Sequence, residues 1–237
     1  MTATPIPRTL NITQYGDLAV TRIDELPPGR SPISTQVVAA PSAERAYAFV
    51  ETELKRGRQA YVISALIEAS ELLDAKAATD AYEQMVERYP SFSVALLHGR
   101  MKPDEKADVM RRFARNDVQV LVSTTVVEVG VDVPNASCIV IEDADRFGLS
   151  QLHQLRGRIG RGGHPGFCFL ISSREGVQRL RVLEATRDGF EIAERDLQLR
   201  GPGEVLGTRQ AGLAELQLAD LVHDALTIEA AREERSS

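Results

Sequence analysis

The 237-residue chain predicts an α/β fold: a parallel sheet with helices on both faces, followed by a small, mostly helical C-terminal appendage. Three observations predict it. Strands such as VQVLVS (Val118–Ser123), CIVI (Cys138–Ile141) and FCFLI (Phe167–Ile171) are apolar nearly throughout, which suits a sheet buried on both faces. They alternate with segments of helical length, and that alternation implies crossovers between parallel strands. Beyond about Ser173 the strand pattern stops and helical, then glycine-rich, sequence takes over.

Each element has its own local signal. Met1–Ser31 is punctuated by Pro5, Pro7, Pro27 and Pro28, so little continuous helix forms and the segment reads as an extended connector. Ser34–Ala39 is a first strand. Pro41-Ser42 opens a helix that runs to about Arg56, where Gly57 stops it. Gln59–Ala65 is a strand, Glu71–Tyr89 a long helix, and Val94–Leu97 a strand ending in His98-Gly99. Pro103–Ala114 is a helix with proline in its first turn, where the missing N–H costs nothing. Val118–Ser123 and Cys138–Ile141 are strands, Leu149 to Ile159 is helical, and Phe167–Ile171 is the last strand. Glu175–Arg187 and Gly189–Leu199 read as two helices parted by Asp188-Gly189. Arg200–Gly212 holds too many glycines for a regular element, and a final helix spans about Ala219–Glu234. This gives a connector at 1–33, a sheet domain at 34–173 and an appendage at 174–237. No internal repeat is visible.

Bulk composition excludes some classes. The hydrophobic fraction of 43% is ordinary for a globular protein. No apolar run reaches membrane-span length, and the N-terminus lacks the pattern of a signal peptide. Cys138 and Cys168 each lie inside an apolar run, which reads as a buried, reduced thiol. The four histidines have no metal-ligand spacing, so no metal site is expected. The net charge of -6 speaks against nucleic acid only as an average. Arginines cluster at Arg156, Arg158 and Arg161, and again at Arg195, Arg200 and Arg209, and a local basic face binds phosphates even on an acidic protein.

Two segments carry chemistry. In QLHQLRGRIGRGG, Gln151–Gly163, a helix starting near Ser150 puts Gln154, Arg158 and Arg161 on one face. Arginine offers a planar, permanently charged fork for phosphate oxygens, and the neighbouring glycines allow close approach. A solvated helix end whose arginines offset the macrodipole fits equally well. In STTVVEVGVDVP, Ser123–Pro134, the segment follows a strand directly and is expected at the carboxyl end of the sheet, where open α/β folds bind ligands. Thr124 and Thr125 offer donors to phosphates, Gly130 permits a tight turn, and Asp132 is a carboxylate suited to a ribose. An ordinary connecting loop explains this segment as well.

Order joins these pieces. QLRGRIGRG resembles motif VI of superfamily 2 helicases and translocases, STTVVEVGVDVP resembles motif V, LLHGRM (Leu96–Met101) is similar to the motif IV region, and MTATPIPR (Met1–Arg8) resembles motif III. The tail ERDLQLRGPGEVLGTRQAG, Glu194–Gly212, resembles the translocation motif shared by the RecG and Mfd families. The wording RGPGEVLGTRQAG, with IDELPPGR (Ile23–Arg30) and IEDADRFGLSQLHQLRGR, is closer to the RecG family. The resemblance covers about Met1 to Gly212.

The resemblance implies a second RecA-like domain, with ATP and Mg2+ bound between it and a first one. It implies that Arg161 is an arginine finger toward the γ-phosphate, with Arg158 beside it and Gln154 sensing the nucleotide. Gly130 and Asp132 face the ribose. Thr124, Thr125, His98 and Gly99 touch the DNA backbone. Thr2 and Thr4 in the motif III-like segment couple nucleotide state to movement, as do Arg195, Arg200, Arg209 and Gln210. The implied partners are branched double-stranded DNA, such as stalled forks and Holliday junctions, and the family's wedge and first RecA-like domains, in the bacterial cytoplasm at the nucleoid, with no membrane. The sequence contains no G-x-x-x-x-G-K-[ST] and no proper acidic box. Asp24-Glu25 substitutes poorly for the latter, and Glu142-Asp143 fits a structural or coupling role. With Met1 just ahead of motif III, the expectation is part of a longer protein, inactive alone. Two other readings are an Mfd-type translocase working with RNA polymerase and a non-catalytic module that binds DNA or protein.

Overall fold

The computed structural model describes residues 31–65, 71–124 and 132–200. Within them, β1 (Ile33–Ala39) leads through a 3-10 turn at Ala40–Ser42 into α1 (Glu44–Lys55). Then follow β2 (Gln59–Ile63), α2 (Glu71–Arg88), β3 (Val94–Leu97), α3 (Pro103–Ala114), β4 (Val120–Ser123) and β5 (Ala136–Ile141). A second 3-10 turn at Ala144–Arg146 precedes α4 (Leu149–Arg156) and β6 (Gly166–Ser172). The predicted α/β architecture is present: the six described strands form one sheet in the order β1-β6-β5-β2-β4-β3, with every pairing parallel.

The strand sequences account for that order. β2, β4 and β5 are buried along their whole length, as the central strands of a sheet covered on both faces must be. On one face, Ala60, Val62, Val120, Val122, Cys138 and Val140 form a cluster with Ala46, Tyr47, Val50 and Leu54 of α1 and Ala81 and Met85 of α2. Tyr61, whose side chain alternates to the opposite face, packs edge-on against Phe113 of α3 at a centroid distance of 4.9 Å. The β2–β4 and β2–β5 pairs place the order reversal between β2 and β5, because β2 continues toward β3 and β5 continues toward β6.

Helix ends follow glycine. Gly57, at φ +79, closes the turn after α1 in the left-handed region that glycine enters without strain. α4 ends at Arg156, with Gly157 as its C-cap. It is therefore three residues shorter than its pattern predicts, and Arg158 and Arg161 lie in the turns beyond it. The expected helix over Glu175–Arg187 is instead two single turns, α5 (Val177–Leu180) and α6 (Val182–Ala185). One main-chain carbonyl there is taken by an arginine, with Arg156 Nη1 donating to Leu183 O at 2.9 Å, and Arg179 Nη2 ties α5 to the 3-10 turn by donating to Asp145 O at 2.8 Å. One compact unit, Leu26–Glu184, holds the whole sheet. Ala185 onward belongs to a separate unit, whose described residues include α7 (Gly189–Arg200). Asp188 caps that helix by accepting Phe190 N–H at 2.8 Å. The final helix expected over Ala219–Glu234, and the segments 1–30 and 201–237 generally, lie outside the described residues.

Candidate functional site

Two separate ends of the sheet carry the predicted residues. At the amino end, the turn after α4 returns toward β6 while residues 132–135 lead into β5. All three guanidinium nitrogens of Arg161 make bonds here. Nε and Nη2 donate to Gly157 O at 3.0 and 2.9 Å, and Nη1 donates to Asp132 Oδ1 at 3.2 Å. The Gly157 carbonyl is one of those a helix C-terminus leaves open, so Arg161 caps the helix as well as pairing with the acid. Asp132 thus sits at the amino end of β5 while Thr124 sits at the carboxyl end of β4. This corrects the expectation that Ser123–Pro134 lies wholly at the carboxyl end: the segment crosses from one end of the sheet to the other. Gly130 and Thr125 lie outside the described residues.

Arg158 lies in the turn between α4 and Arg161, its N–H bonded to Leu155 O at 3.0 Å. It is part-buried, and no described residue bonds its guanidinium. Gln154 sits on α4 two residues before its end and is also part-buried. The three residues are gathered by a turn rather than by one continuous helical face. Tyr61 reaches the same corner from β2. Burial pushes its hydroxyl pKa up to about 12, while the charges of Arg158 and Arg161 pull it down and Asp132 pushes it up.

Sequence reasoning missed what holds this corner together. A Cβ on Gly162 would stand 2.0 Å from the Pro134 carbonyl oxygen, so the turn seats directly on the backbone ahead of β5. Gln59, 1% exposed, donates from Nε2 to Phe113 O at 2.6 Å and Val118 O at 2.7 Å. Its Oε1 accepts from Asn135 Nδ2 at 3.2 Å. Asn135 also accepts from Arg58 Nη1 at 3.2 Å. The Gly162-Gly163 pair was a visible sign of close approach, but no local signal gives Gln59 its three partners.

At the carboxyl end, β3 and β4 stop together, with Leu97 opposite Ser123. His98-Gly99 and Thr124 therefore lie side by side, and Thr124 N donates to Leu97 O at 3.4 Å. Thr124 is 2% exposed, yet its Oγ1 has no partner, and neither has the buried His98 Nδ1. A buried polar atom left unpaired costs about 1–3 kcal/mol, so two of them together make this end of the sheet a candidate place for a water or a ligand to bond. Lys106 Nζ donates to Gly99 O at 2.6 Å and Arg100 is exposed nearby, which makes the surroundings basic. Burial first, then the charges of Lys106 and Arg100, lower the His98 pKa against a smaller opposing effect of Glu105. Its imidazole is neutral near pH 7.

Glu142, at the carboxyl end of β5, accepts from the Tyr47 hydroxyl and from Ser64 Oγ at 3.1 Å. Those contacts tie α1 and β2 to β5, in keeping with a structural place. Among the described residues, no three His, Cys, Asp or Glu side chains gather to share a metal ion. None of the described helices is long and apolar enough to cross a membrane. Arg195 and Arg200 are on α7, while Thr2, Thr4, Arg209 and Gln210 lie outside the described residues.

The geometry defines a class: an α/β domain with a paired-arginine corner at one end of the sheet and unpaired hydrogen-bonding groups at the other. Residues 44–163 match the model of the helicase conserved C-terminal domain, and the chain belongs to that family. Residues 186–237 match the C-terminal part of domain 3 of ATP-dependent DNA helicase RecG. The chain is 53% identical over 241 aligned residues to the ATP-dependent DNA helicase RecG of Bacillus subtilis (100% of this chain, 35% of the relative). Its identity to the RecG of Synechocystis is 54% over 237 residues (98% of this chain, 28% of the relative). The chain thus spans about a third of the length of the curated relatives it matches. A solved structure of RecG bound to a three-way DNA junction superposes with a TM-score of 0.74 at 46% identity, over 97% of this chain and 30% of that one. Domain 2 of the DEAD-box helicase Mss116p superposes at 0.50 with 18% identity, over 66% of this chain and 61% of that one, a likeness of fold alone.

Proposed function

We propose that this chain is the second motor half of a RecG-type, ATP-dependent translocase that remodels branched double-stranded DNA. The observation that carries the reading is the separation of its two sites. Arg161 pairs with Asp132 at the amino end of the sheet, with Arg158 in the same turn, and His98, Gly99 and Thr124 meet at the carboxyl end. One end suits a nucleotide and the other a nucleic-acid backbone. The whole-length similarity to RecG proteins supports the substrate class, as does the junction-bound RecG structure.

On this reading the residues divide the tasks. Arg161 and Arg158 face the terminal phosphates, where a guanidinium stabilises charge on the transferring phosphoryl group, an effect of about 10³–10⁵ in rate in other nucleotide hydrolases. Gln154 orients groups around them, and Asp132, with Gly130, accepts from the ribose hydroxyls. Magnesium, when bound, neutralises phosphate charge. The sequence holds no G-x-x-x-x-G-K-[ST], and on this reading the phosphate cradle and the magnesium ligands belong to a first RecA-like domain. At the other end, Thr124 Oγ1, Thr125 and the main chain near His98-Gly99 take the DNA backbone, contacts that do not depend on sequence. Arg195, Arg200, Arg209 and Gln210, with Thr2 and Thr4, turn domain closure into movement along DNA. Activity on chromosomal branch points sets its place in the bacterial cytoplasm, at the nucleoid.

Kinetics test the assignment. The purified chain is expected to show no ATP turnover, and adding a first RecA-like domain in trans is expected to restore it. In a full-length RecG parent, Arg161→Ala lowers kcat by about 10³-fold or more, with nucleotide affinity changed far less. Equal, modest effects on kcat and affinity overturn the finger assignment, and turnover by the chain alone overturns the two-half reading.

A further inference from the structure

Resting on that nucleotide-facing reading, we infer that Arg161 and Asp132 hold one another when nucleotide is absent, forming an autoinhibitory latch set by Gly162, which bound nucleotide opens by exchange. Both residues are ones a nucleotide would engage: the guanidinium suits a phosphate and the carboxylate a ribose hydroxyl. Here each occupies the other, at 3.2 Å. The two remaining arginine nitrogens are held by Gly157 O at 3.0 and 2.9 Å. Each of the three guanidinium nitrogens of Arg161 is thus bonded within its own domain, which leaves two of its five N–H groups for other acceptors. Arg158, three residues earlier, has no such hold among the described residues.

Gly162 is the positioning residue. The turn approaches Pro134 so closely that a Cβ would lie 2.0 Å from the carbonyl oxygen and 2.7 Å from the carbonyl carbon. Both are backbone atoms, so a methyl group there is accommodated only by moving the turn away from residues 132–134. That movement pulls Arg161 from Asp132 without changing any charge. The flanking Gly160, at φ +74, completes the reversal that brings Arg161 back over the end of α4. Solvent reaches the pair, with side-chain exposures of 27% and 57%, so the latch is weak enough for a polyanion to displace.

The test uses the whole chain and inorganic tripolyphosphate, a probe of the phosphate half that has no ribose for Asp132 to bind. Affinity is measured by calorimetry at fixed low ionic strength, with folding of each variant checked by NMR. Asp132→Asn is expected to tighten tripolyphosphate binding about twofold to fivefold, the range for release of a part-exposed ion pair. Gly162→Ala gives a gain of the same sign, and both gains disappear in an Arg161→Ala background. These two openers act by different means, so loss of fold in one leaves the other to decide. A gain from Asp132→Asn that persists in the Arg161→Ala background is a simple field effect and overturns the latch. Equal binding by wild type and both openers overturns it too, while leaving the nucleotide-facing reading intact. No binding of tripolyphosphate by any of them overturns the latch, while the nucleotide-facing reading, whose phosphate cradle belongs to a first RecA-like domain, stands or falls by the kinetic test.

Discussion

Gln59→Leu should unfold this domain several degrees early, although the substitution keeps the volume and adds apolar surface. Gln59 is 1% exposed and its amide donates twice, to the carbonyls of Phe113 at 2.6 Å and Val118 at 2.7 Å. Phe113 O, near the end of α3, keeps a second donor, the Asn116 N–H at 3.0 Å, so the carbonyl that leucine strands is that of Val118, just ahead of β4. Stranding a buried polar group costs about 1–3 kcal/mol. For a chain of this size each kcal/mol lowers Tm by about 2–4 °C, which gives a fall of roughly 2–12 °C. The assay is thermal and urea unfolding followed by far-UV circular dichroism, with the urea midpoint moving and the slope unchanged. Gln59→Glu is a sharper control: it is nearly isosteric, but turns an acceptor toward both carbonyls and should cost at least as much. A fall under about 2 °C for Gln59→Leu refutes the reasoning, because water or a main-chain shift must then be satisfying the Val118 carbonyl.

Other expectations follow from the same geometry. The folded state lowers the His98 pKa, so the unfolded chain takes up a proton first as pH falls. The stability His98 contributes is complete above its unfolded pKa, near 6.5, and is lost as pH falls from there toward the folded value. His98→Gln should therefore flatten the decline in Tm between about pH 7 and pH 5, and an unchanged slope contradicts it. Burial pushes the Cys138 and Cys168 thiols up to about 12 each. Neither should react with iodoacetamide at pH 8 until urea unfolds the chain, as mass spectrometry would read out; rapid labelling of the native protein counts against the buried placement.

Much of the sheet was legible in the sequence because its signals are local. Apolar runs, β-branched in β2, β4 and β5 and aromatic-rich in β6, define those strands, and the Pro103 start and Gly57 stop fix helix ends to within a residue or two. Where reading failed, the reasons differ. The single helix expected over Glu175–Arg187 became two turns, with Arg156 of α4 bonded to the Leu183 carbonyl. The face shared by Gln154, Arg158 and Arg161 became a glycine turn, since α4 ends at Arg156. Asp132 was placed at the wrong end of the sheet because spacing gives the length of a connection and not its course.

The sequence by itself determined the alternation of strands and helices, the arginine-rich segment and its order after Ser123–Pro134, and hence the helicase resemblance. These follow from side-chain chemistry and from neighbours a few residues apart. Only the tertiary structure decided which charges meet. Asp132 reaches Arg161 across 29 positions because β5 and the turn before β6 begin at the same end of the sheet, and because Gly162 has no side chain to keep them apart. Only strand pairing sets Leu97 beside Ser123, bringing the unpaired Thr124 hydroxyl next to His98. Such contacts depend on the order of strands in the sheet, which no local pattern of residues records.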